Sequence, residues 1–246
     1  MNPFDPYFAR IRDYTDILRR ERRSVRTWAL LLRSEAPASH PPDVILKDQT
    51  ALELGGPRAA SSGFMLWTND THLVSDGTIT LVGPDVPEVR GPLTPFGQVV
   101  LLGGPALDSH AQPSLERALH AAERAPGYTV RRTGGQLWAR VSHDAFKAGL
   151  TFQLLGSRIL SDLHTAAGVV AAEILFVTSA EDDVRLLERI GAQVRKLAHD
   201  LRRNRLRETA DGTFECETEI SCDACPDSHV CADIREMIAV RKRGDR

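Results

Sequence analysis

All four cysteines of this 246-residue chain lie in one short C-terminal segment. They are Cys216, Cys222, Cys225 and Cys231, in the spacing Cys-x5-Cys-x2-Cys-x5-Cys. Two thiolates separated by two residues can turn toward one centre, and two more close by complete a tetrahedral shell. Four clustered thiolates suit a [4Fe–4S] cluster or a structural zinc ion. We expect the iron–sulfur cluster, with zinc or with free or disulfide-bonded thiols as the alternatives.

Length and composition favour one α/β core with a small appendage. The sequence is 42% hydrophobic and 26% charged, and its formal net charge is −2. These values are ordinary for a soluble globular protein and unlike those of a polyanion-binding protein. No apolar run approaches the length of a membrane span, and the first residues lack the basic and apolar regions of a signal peptide. We therefore expect a cytoplasmic protein, in which a reducing environment disfavours disulfides.

The N-terminal segment has the pattern of one amphipathic helix over residues 5–33. Its apolar residues recur at spacings of three and four: Tyr7, Phe8, Ile11, Tyr14, Leu18, Val25, Trp28, Ala29 and Leu32. Its other face is densely basic, with Arg19, Arg20, Arg22, Arg23 and Arg26. Either the helix packs on its own domain with a solvated basic face, or it docks an acidic partner. We expect residues 1–34 to form a first region, joined to the body by a Pro/Ala/Ser-rich linker over 34–44.

Predicted strands and helices alternate over residues 45–207, which indicates an α/β (α+β) fold with a layered mixed sheet and flanking helices. The predicted strands span 78–82, 98–102, 136–141 and 171–178. The predicted helices are 113–124, a short helix capped by Ser142, a helix from its cap Thr151 to His164, and a long helix opened by Ser179 with acids in its first turn. The long helix should bury Val184, Leu187, Ile190, Val194, Leu197 and Leu201. Residues 208–246 form a third region, the four-cysteine module.

Several stretches, taken in order, resemble the acetyl-CoA synthase subunit (beta subunit) of carbon monoxide dehydrogenase/acetyl-CoA synthase complexes. Residues 50–57 (TALELGGP) are similar to that family's ELGGP segment, and 79–85 (ITLVGPD) to its VTLIGPD segment. Residues 137–149 resemble its WIRIS…AFKKG stretch, and 175–178 its TFIT strand. Order and approximate spacing agree over residues 45–231. The resemblance implies the middle domain of that family.

The resemblance also bears on the metal. Residues 222–231 fall where the family begins its nickel–iron–sulfur A-cluster domain. The family's fourth cluster cysteine lies further downstream, so Cys216 would have to substitute for it from upstream. A family A-cluster needs four cluster cysteines and a Cys-Gly-Cys that holds the distal nickel, whereas this sequence has four cysteines in total and no Cys-Gly-Cys. The resemblance thus implies a truncated cluster module without the nickel site.

These implications favour an iron–sulfur accessory or electron-transfer subunit in CO, one-carbon or acyl-CoA metabolism. No nucleophile has a recognisable local signature, so we do not expect catalysis by this chain alone. Two alternatives stay open. One is a non-catalytic scaffold subunit with a structural zinc, and the other is a CoA-ester enzyme component whose active site is completed by another chain.

Trp138 and Arg140 lie on one predicted strand, where alternate residues share a face. In the resembled family the middle domain is associated with CoA contact and ferredoxin docking, and a tryptophan and arginines are implicated in the CoA contact. The resemblance therefore implies Trp138, Arg140, Arg131 and Arg132 as candidates for binding CoA or another anionic ligand, since guanidinium groups grip phosphates. The alternative is a core tryptophan among surface arginines.

Two arginine clusters, at 19–26 and 202–207, suggest a partner surface. We expect docking to an acidic ferredoxin-like carrier or to another subunit of a multi-subunit complex, with ordinary solvated surface as the alternative. Nucleic acid is disfavoured by the near-neutral net charge and the lack of aromatic interleaving. His229 is the one histidine among the cysteines and is expected to be a bystander. Three aspartates at predicted turns should be structural: Asp76, Asp85 and Asp108.

Overall fold

The computed structural model describes residues 2–30, 45–91, 94–106, 114–115, 118, 123–133, 136–203, 206–208, 214–216 and 236. The chain divides into two compact units, 1–194 and 195–246. Several predicted features lie outside the described residues: the 34–44 linker, most of the 113–124 helix, Asp108, Cys222, Cys225, His229 and Cys231. No helix in the described part of the chain is long and apolar enough to cross a membrane.

The described helices and strands follow one another as a mixed α/β arrangement. In chain order they are α1 (Asp5–Arg20), β1 (Val25–Ala29), β2 (Thr50–Gly55), β3 (Ser61–Thr68), β4 (Thr78–Val82), β5 (Phe96–Gly103), β6 (Arg124–Ala125), β7 (Tyr128–Thr133), β8 (Gln136–Ser142), α2 (His143–Lys147), α3 (Phe152–His164), β9 (Ala171–Val177), α4 (Glu181–Arg203), β10 (Leu206–Glu208) and β11 (Phe214–Cys216). Short 3-10 turns occupy Lys47–Gln49, Thr71–Leu73 and Val86–Glu88.

The larger sheet contains five strands in the order β1-β4-β9-β5-β3. Strands β4 and β9 run parallel, as do β5 and β3, while β1–β4 and β9–β5 are antiparallel. Every residue of β5 is buried, as expected for a strand that is covered on both faces. The predicted mixed sheet with flanking helices is therefore confirmed.

Both faces of the larger sheet are covered. One face packs against α1 and against the first half of α4, whose residues Val184, Leu187, Ile190 and Val194 are buried as predicted. The other face packs against α3 and the smaller sheet. The core on that side includes three aromatic rings, and the centroids of Phe152 and Phe176 are 4.7 Å apart with Phe96 stacked beside them. Leu197 and Leu201, which we predicted to be buried, are only half-buried.

The smaller sheet is antiparallel, in the order β2-β8-β7-β6. Along β8 the buried residues Leu137, Ala139 and Val141 alternate with more exposed neighbours. The buried residues join the core beneath the larger sheet. One face of the smaller sheet is therefore covered by the larger sheet, and within the described part of the chain the other is uncovered.

Three predicted helix starts are confirmed. The Ser142 hydroxyl accepts a hydrogen bond from Ala145 N at the start of α2, and the Thr151 hydroxyl accepts one from Leu154 N at the start of α3. The first turn of α4 is acidic, and Asp183 Oδ2 reaches back to Ala180 N at 3.2 Å. These bonds satisfy backbone N–H groups that have no partner within the helix.

The prediction of one helix over residues 5–33 is wrong beyond Arg20. Arg22 adopts φ of 61°, and the N–H groups of Arg22 and Arg23 bond back to Arg19 O and Leu18 O. These two hydrogen bonds, together with the left-handed conformation of Arg22, form a Schellman motif that ends the helix. Val25–Ala29 then forms β1, an edge strand of the larger sheet that pairs with β4. Tertiary pairing overrides a spacing that fits both a helix and a strand.

Other strands were missed or shifted. The predicted strands at 78–82, 98–102, 136–141 and 171–178 are confirmed. The first matches at both ends, the second extends to Phe96–Gly103, and the last two each move by one residue at the C-terminal end only. Strands β2, β3 and β7 were not predicted. Of the predicted 113–124 helix, Ser114, Leu115 and Ala118 are helical, but Arg124 belongs to β6.

Candidate functional site

The uncovered face of the smaller sheet carries the aromatic and charged residues that the sequence singled out. Trp138 and Arg140 are both half-buried and lie on this face, as their strand spacing predicted. Trp138 is therefore not a core tryptophan, whereas Trp28 and Trp67 pack against the core.

Strand register identifies the neighbours of Trp138 and Arg140. Gly55 of β2 and Arg131 of β7 lie directly opposite Trp138, while Glu53 and Thr129 lie opposite Arg140. Residues directly opposite in an antiparallel pair share a face. We call this surface the outer face, and it consists of Glu53, Gly55, Thr129, Arg131, Trp138 and Arg140.

Arg140 is held by three contacts. Its Nε donates to Glu53 Oε1 at 3.1 Å, and its Nη1 donates to the carbonyl oxygen of Ile45 at 3.0 Å. Its guanidinium carbon lies 4.5 Å from the centroid of the Trp138 ring, within the range of a cation–π interaction. Arg140 therefore bridges the indole and the carboxylate and is partly neutralised by the latter.

A two-glycine turn lies against the edge of the Trp138 ring. Gly55 and Gly56 have φ of 68° and 88°, a region that favours glycine. A Cβ on Gly56 would lie 3.1 Å from Trp138 Cδ1, and a Cβ on Gly55 would lie 2.2 Å from Leu137 O. Gly56 N also donates to Leu137 O at 2.8 Å. Glycine at both positions lets this turn approach β8 and its indole closely.

The two remaining candidate arginines are separated by the fold. Arg131 is exposed on the outer face and makes no ion pair with a described residue. Arg132 lies on the opposite side of β7 with Tyr128 and Val130, and its Nε is 3.5 Å from Glu123 Oε1, which is long for a hydrogen bond. The structure thus brings together Trp138, Arg140 and Arg131 and places Arg132 elsewhere.

Sequence reasoning missed two of the groups that organise the outer face. Glu53 was noted only as part of the ELGGP segment, and the carbonyl group of Ile45 was not considered. The alternation of Glu53 between the buried residues Leu52 and Leu54 was the signal that could have placed it on the uncovered side of a strand.

The predicted metal ligands lie almost entirely outside the described residues. Cys216 is described by its backbone alone, where it ends β11 and pairs with Leu206 of β10. The ligand set formed with Cys222, Cys225 and Cys231 stays a prediction. Among the side chains that the structure does describe, no three histidine, cysteine, aspartate or glutamate residues could hold a metal ion together.

The first arginine cluster is divided between internal ion pairs and solvent. Arg23 Nε lies 2.9 Å from Asp183 Oδ2, and the Asp183 side chain is only 4% exposed. Arg26 donates to both carboxylate oxygens of Glu88, at 2.8 and 2.7 Å. These hydrogen bonds lower the pKa of Glu88 to about 2.

The remaining arginines of that cluster are on the surface. Arg20 and Arg22 are exposed, and Arg19 makes a surface pair with Asp16 at 2.7 Å. Arg19, Arg20 and Arg22 are therefore the exposed members of the cluster that are not paired with a buried carboxylate. The side chains of the second cluster, over 202–207, lie outside the described part of the chain.

The described turn aspartates make structural contacts, as predicted. Asp85 is buried, and its Oδ1 accepts hydrogen bonds from Val86 N and Phe152 N, both at 2.7 Å. Asp76 Oδ1 accepts from Ala172 N and lies 2.9 Å from His164 Nε2. Burial opposes ionisation of Asp76, but the hydrogen bonds from Ala172 and His164 outweigh it and lower its pKa.

Comparison with known protein families identifies the family of the chain. A family model described as CO dehydrogenase/acetyl-CoA synthase complex beta subunit matches residues 35–183, more than half of the sequence. The chain belongs to this family, which confirms the resemblance found in the ELGGP, ITLVGPD and Trp138 segments. No curated protein matches the chain.

Family membership places the chain among subunits of a multi-subunit enzyme complex that contains metal clusters. The matched residues contain the whole outer face, from Glu53 to Arg140. They end at residue 183, before the four cysteines. The family match therefore includes the residues of the outer face, whereas the four-cysteine module lies outside the matched range.

Proposed function

We propose that this chain is an acetyl-CoA synthase-like accessory subunit that binds coenzyme A on its outer face. The observation that carries this proposal is the grouping of a half-exposed indole with two guanidinium groups, one of which, on Arg131, has no counter-charge among the described residues. Coenzyme A offers a flat adenine ring and several phosphates, which are the groups that an indole and a guanidinium recognise.

Four residues of the outer face, together with the neighbouring Gly56, have distinct parts in this proposal. Arg131, which has no ion pair with a described residue, supplies the cation for a phosphate oxygen. Trp138 supplies an aromatic surface, and Arg140 holds the indole through its cation–π contact. Gly55 and Gly56 let the turn after β2 pack against the edge of the ring. These residues bind and orient, and none of them is a nucleophile or a general base for the acyl transfer itself.

Calorimetry with coenzyme A on the full chain tests this proposal. Arg131→Ala should weaken binding about ten- to a hundredfold, since losing one charge-assisted contact costs about 1.5–3 kcal/mol. Arg132→Ala is the matched control, because it removes the same charge from the neighbouring residue on the opposite side of β7 and should leave affinity nearly unchanged. Absence of binding at millimolar coenzyme A, or equal losses in both variants, would contradict the proposal.

We further propose that Cys216, Cys222, Cys225 and Cys231 hold a [4Fe–4S] cluster, which supplies one-electron exchange when bound. Four soft thiolates are a donor set that such a cluster requires, and the family belongs to a complex with metal clusters. Four cysteines are too few for a cluster and a nickel site of the family type. The chain would therefore serve electron transfer in a reducing, cytoplasmic setting and would not join methyl, CO and CoA by itself.

Anaerobic purification with iron, sulfide and zinc analysis tests the cluster. We expect iron and sulfide in equal amounts, broad absorption near roughly 400 nm, and an electron paramagnetic resonance signal on reduction. Cys225→Ala should abolish the signal. Stoichiometric zinc without iron or sulfide would favour the structural-zinc scaffold instead.

The partner that we propose is an acidic ferredoxin-like carrier or an acidic subunit of the complex. Arg19, Arg20 and Arg22 are the surface cations that support it. Reversing these three charges should slow association with such a carrier more than it speeds dissociation, and the effect should fade at high salt. An association rate that is insensitive to both changes would assign this surface to ordinary solvated charge.

A further inference from the structure

The outer face contains one acidic residue in a surface that is otherwise suited to anions. Glu53 lies opposite Arg140 across the β2–β8 pairing, and its carboxylate accepts from Arg140 Nε at 3.1 Å. A carboxylate beside a phosphate site lowers affinity by charge repulsion. Its presence there calls for a role other than direct ligand contact.

The contacts of Arg140 indicate that role. A guanidinium is planar, so two hydrogen bonds in different directions fix both its position and its tilt. Glu53 Oε1 and the carbonyl oxygen of Ile45 supply these two bonds. The guanidinium held in this way lies over the Trp138 ring at 4.5 Å, while Gly56 lies against the ring edge. The indole is thus contacted on its face by Arg140, which Glu53 and Ile45 hold, and at its edge by Gly56.

We propose that Glu53 is a positioning residue that orients the Trp138 indole through Arg140. Arg140 is committed to Glu53, Ile45 and Trp138, whereas Arg131, directly across from Trp138, makes no ion pair with a described residue. The part concerning coenzyme A rests on the proposed function, but the orientation of Trp138 by Glu53 does not.

The first test measures the environment of the Trp138 indole by fluorine NMR in the absence of ligand. The full chain is labelled with 5-fluorotryptophan, and its three fluorine resonances are assigned by the loss of one signal in Trp138→Phe. Glu53→Ala should shift and broaden the Trp138 resonance, leaving those of Trp28 and Trp67 unchanged. Glu53→Gln keeps an oxygen acceptor for Arg140 Nε and should retain the wild-type resonance. An unmoved Trp138 signal in Glu53→Ala would overturn the proposal.

The second test compares the same variants in coenzyme A binding. If Glu53 were only a surface charge, Glu53→Ala and Glu53→Gln would strengthen binding of the anion equally. A positioning residue instead makes Glu53→Ala bind about tenfold more weakly than Glu53→Gln, because only the former lets the indole move. Equal affinities would refute this role.

The two tests separate the two proposals. Should coenzyme A fail to bind the wild-type chain, the proposed function falls, and the fluorine spectra alone decide on Glu53. Circular dichroism melting of each variant controls for misfolding, and Asp48→Ala, which removes an exposed carboxylate just before β2, serves as the matched charge control.

Discussion

The five-stranded and four-stranded sheets of this molecule differ in how their faces are used. The larger sheet is covered on both faces, by α1 and α4 on one side and by α3 and the smaller sheet on the other. The smaller sheet is covered on one face only and presents Trp138, Arg140 and Arg131 on the other. A fully covered sheet leaves few side chains for a ligand, and we therefore propose the half-covered sheet as the one that recognises a ligand. The larger sheet acts as the scaffold on which the smaller one is held.

The largest difference in stability between the two sheets should come from replacing an aromatic residue of each by alanine. Phe176→Ala in β9 should lower the free energy of unfolding by about 3–5 kcal/mol, because the stacked core leaves a cavity. Trp138→Ala on the outer face should cost about 1–2 kcal/mol, since it loses a cation–π contact and only part of its buried area. Urea titrations of both variants measure this difference. Equal losses would mean that the outer face is part of the core.

An ion pair with a buried carboxylate beside the larger sheet should contribute more to the free energy of unfolding than an ion pair in solvent. Arg23→Ala leaves the Asp183 carboxylate buried without its guanidinium. Because Arg23 is itself 39% exposed, we expect a cost of about 2 kcal/mol rather than the larger value of a fully buried pair. Arg19→Ala breaks only the exposed pair with Asp16 and should cost less than about 0.5 kcal/mol. Thermal unfolding of the two variants makes the comparison, and similar melting temperatures would contradict it.

The packing of the turn after β2 against the Trp138 ring can be tested at Gly56. Gly56→Ala should cost about 1–2 kcal/mol, from a backbone with φ of 88° and from the approach of Cβ to the Trp138 ring. Gly149→Ala is the control for the backbone part, because it has φ of 79° with open space around it. The excess cost of Gly56→Ala should disappear in a Trp138→Ala background. An excess that persists there would place the strain elsewhere.

The smallest expected effect is a pH dependence at the end of the larger sheet. Since the pKa of Asp76 is lowered in the folded chain, its ionised form contributes stability above the unfolded value of about 4, and this is lost as pH falls through the folded pKa. Asp76→Asn should therefore reduce the loss of stability between neutral and acidic pH, by less than about 1 kcal/mol at this exposed site. Urea midpoints across this range measure it, with Asp48→Asn as the control. A pH profile identical to that of the wild-type chain would contradict it.

Much of the scaffold could be predicted from local sequence. Strands β4, β5, β8 and β9 are short apolar or alternating runs bounded by turns, and Thr151 marks the start of α3 by its hydroxyl. Strand β1 could not be predicted in this way, because Val25, Trp28 and Ala29 also fit a helical spacing. The choice depends on the pairing of β1 with β4 and on the left-handed conformation of Arg22, neither of which is a local preference.

The residues of the outer face likewise separate into those that local sequence predicts and those that depend on strand pairing. The period of a strand is enough to put Trp138 and Arg140 on one side. It is not enough to distinguish Arg131 from Arg132, because that requires the register of β7 against β8. Nor could it assign Glu53, since β2 is distant in sequence and was not predicted as a strand.

The pairing of Glu53 with Arg140 joins residues that are 87 positions apart in the chain. During synthesis, β2 is complete long before its partner β8 exists, and the β7–β8 hairpin can form without β2 because its contacts are local. The contacts that Glu53 and Gly56 supply to Arg140 and Trp138 therefore require this early strand to pair with the later hairpin. A chain in which that pairing has not yet formed has the tryptophan and the arginines but lacks these contacts. The ligand that we propose for the outer face would therefore bind only molecules in which β2 has already paired with β8.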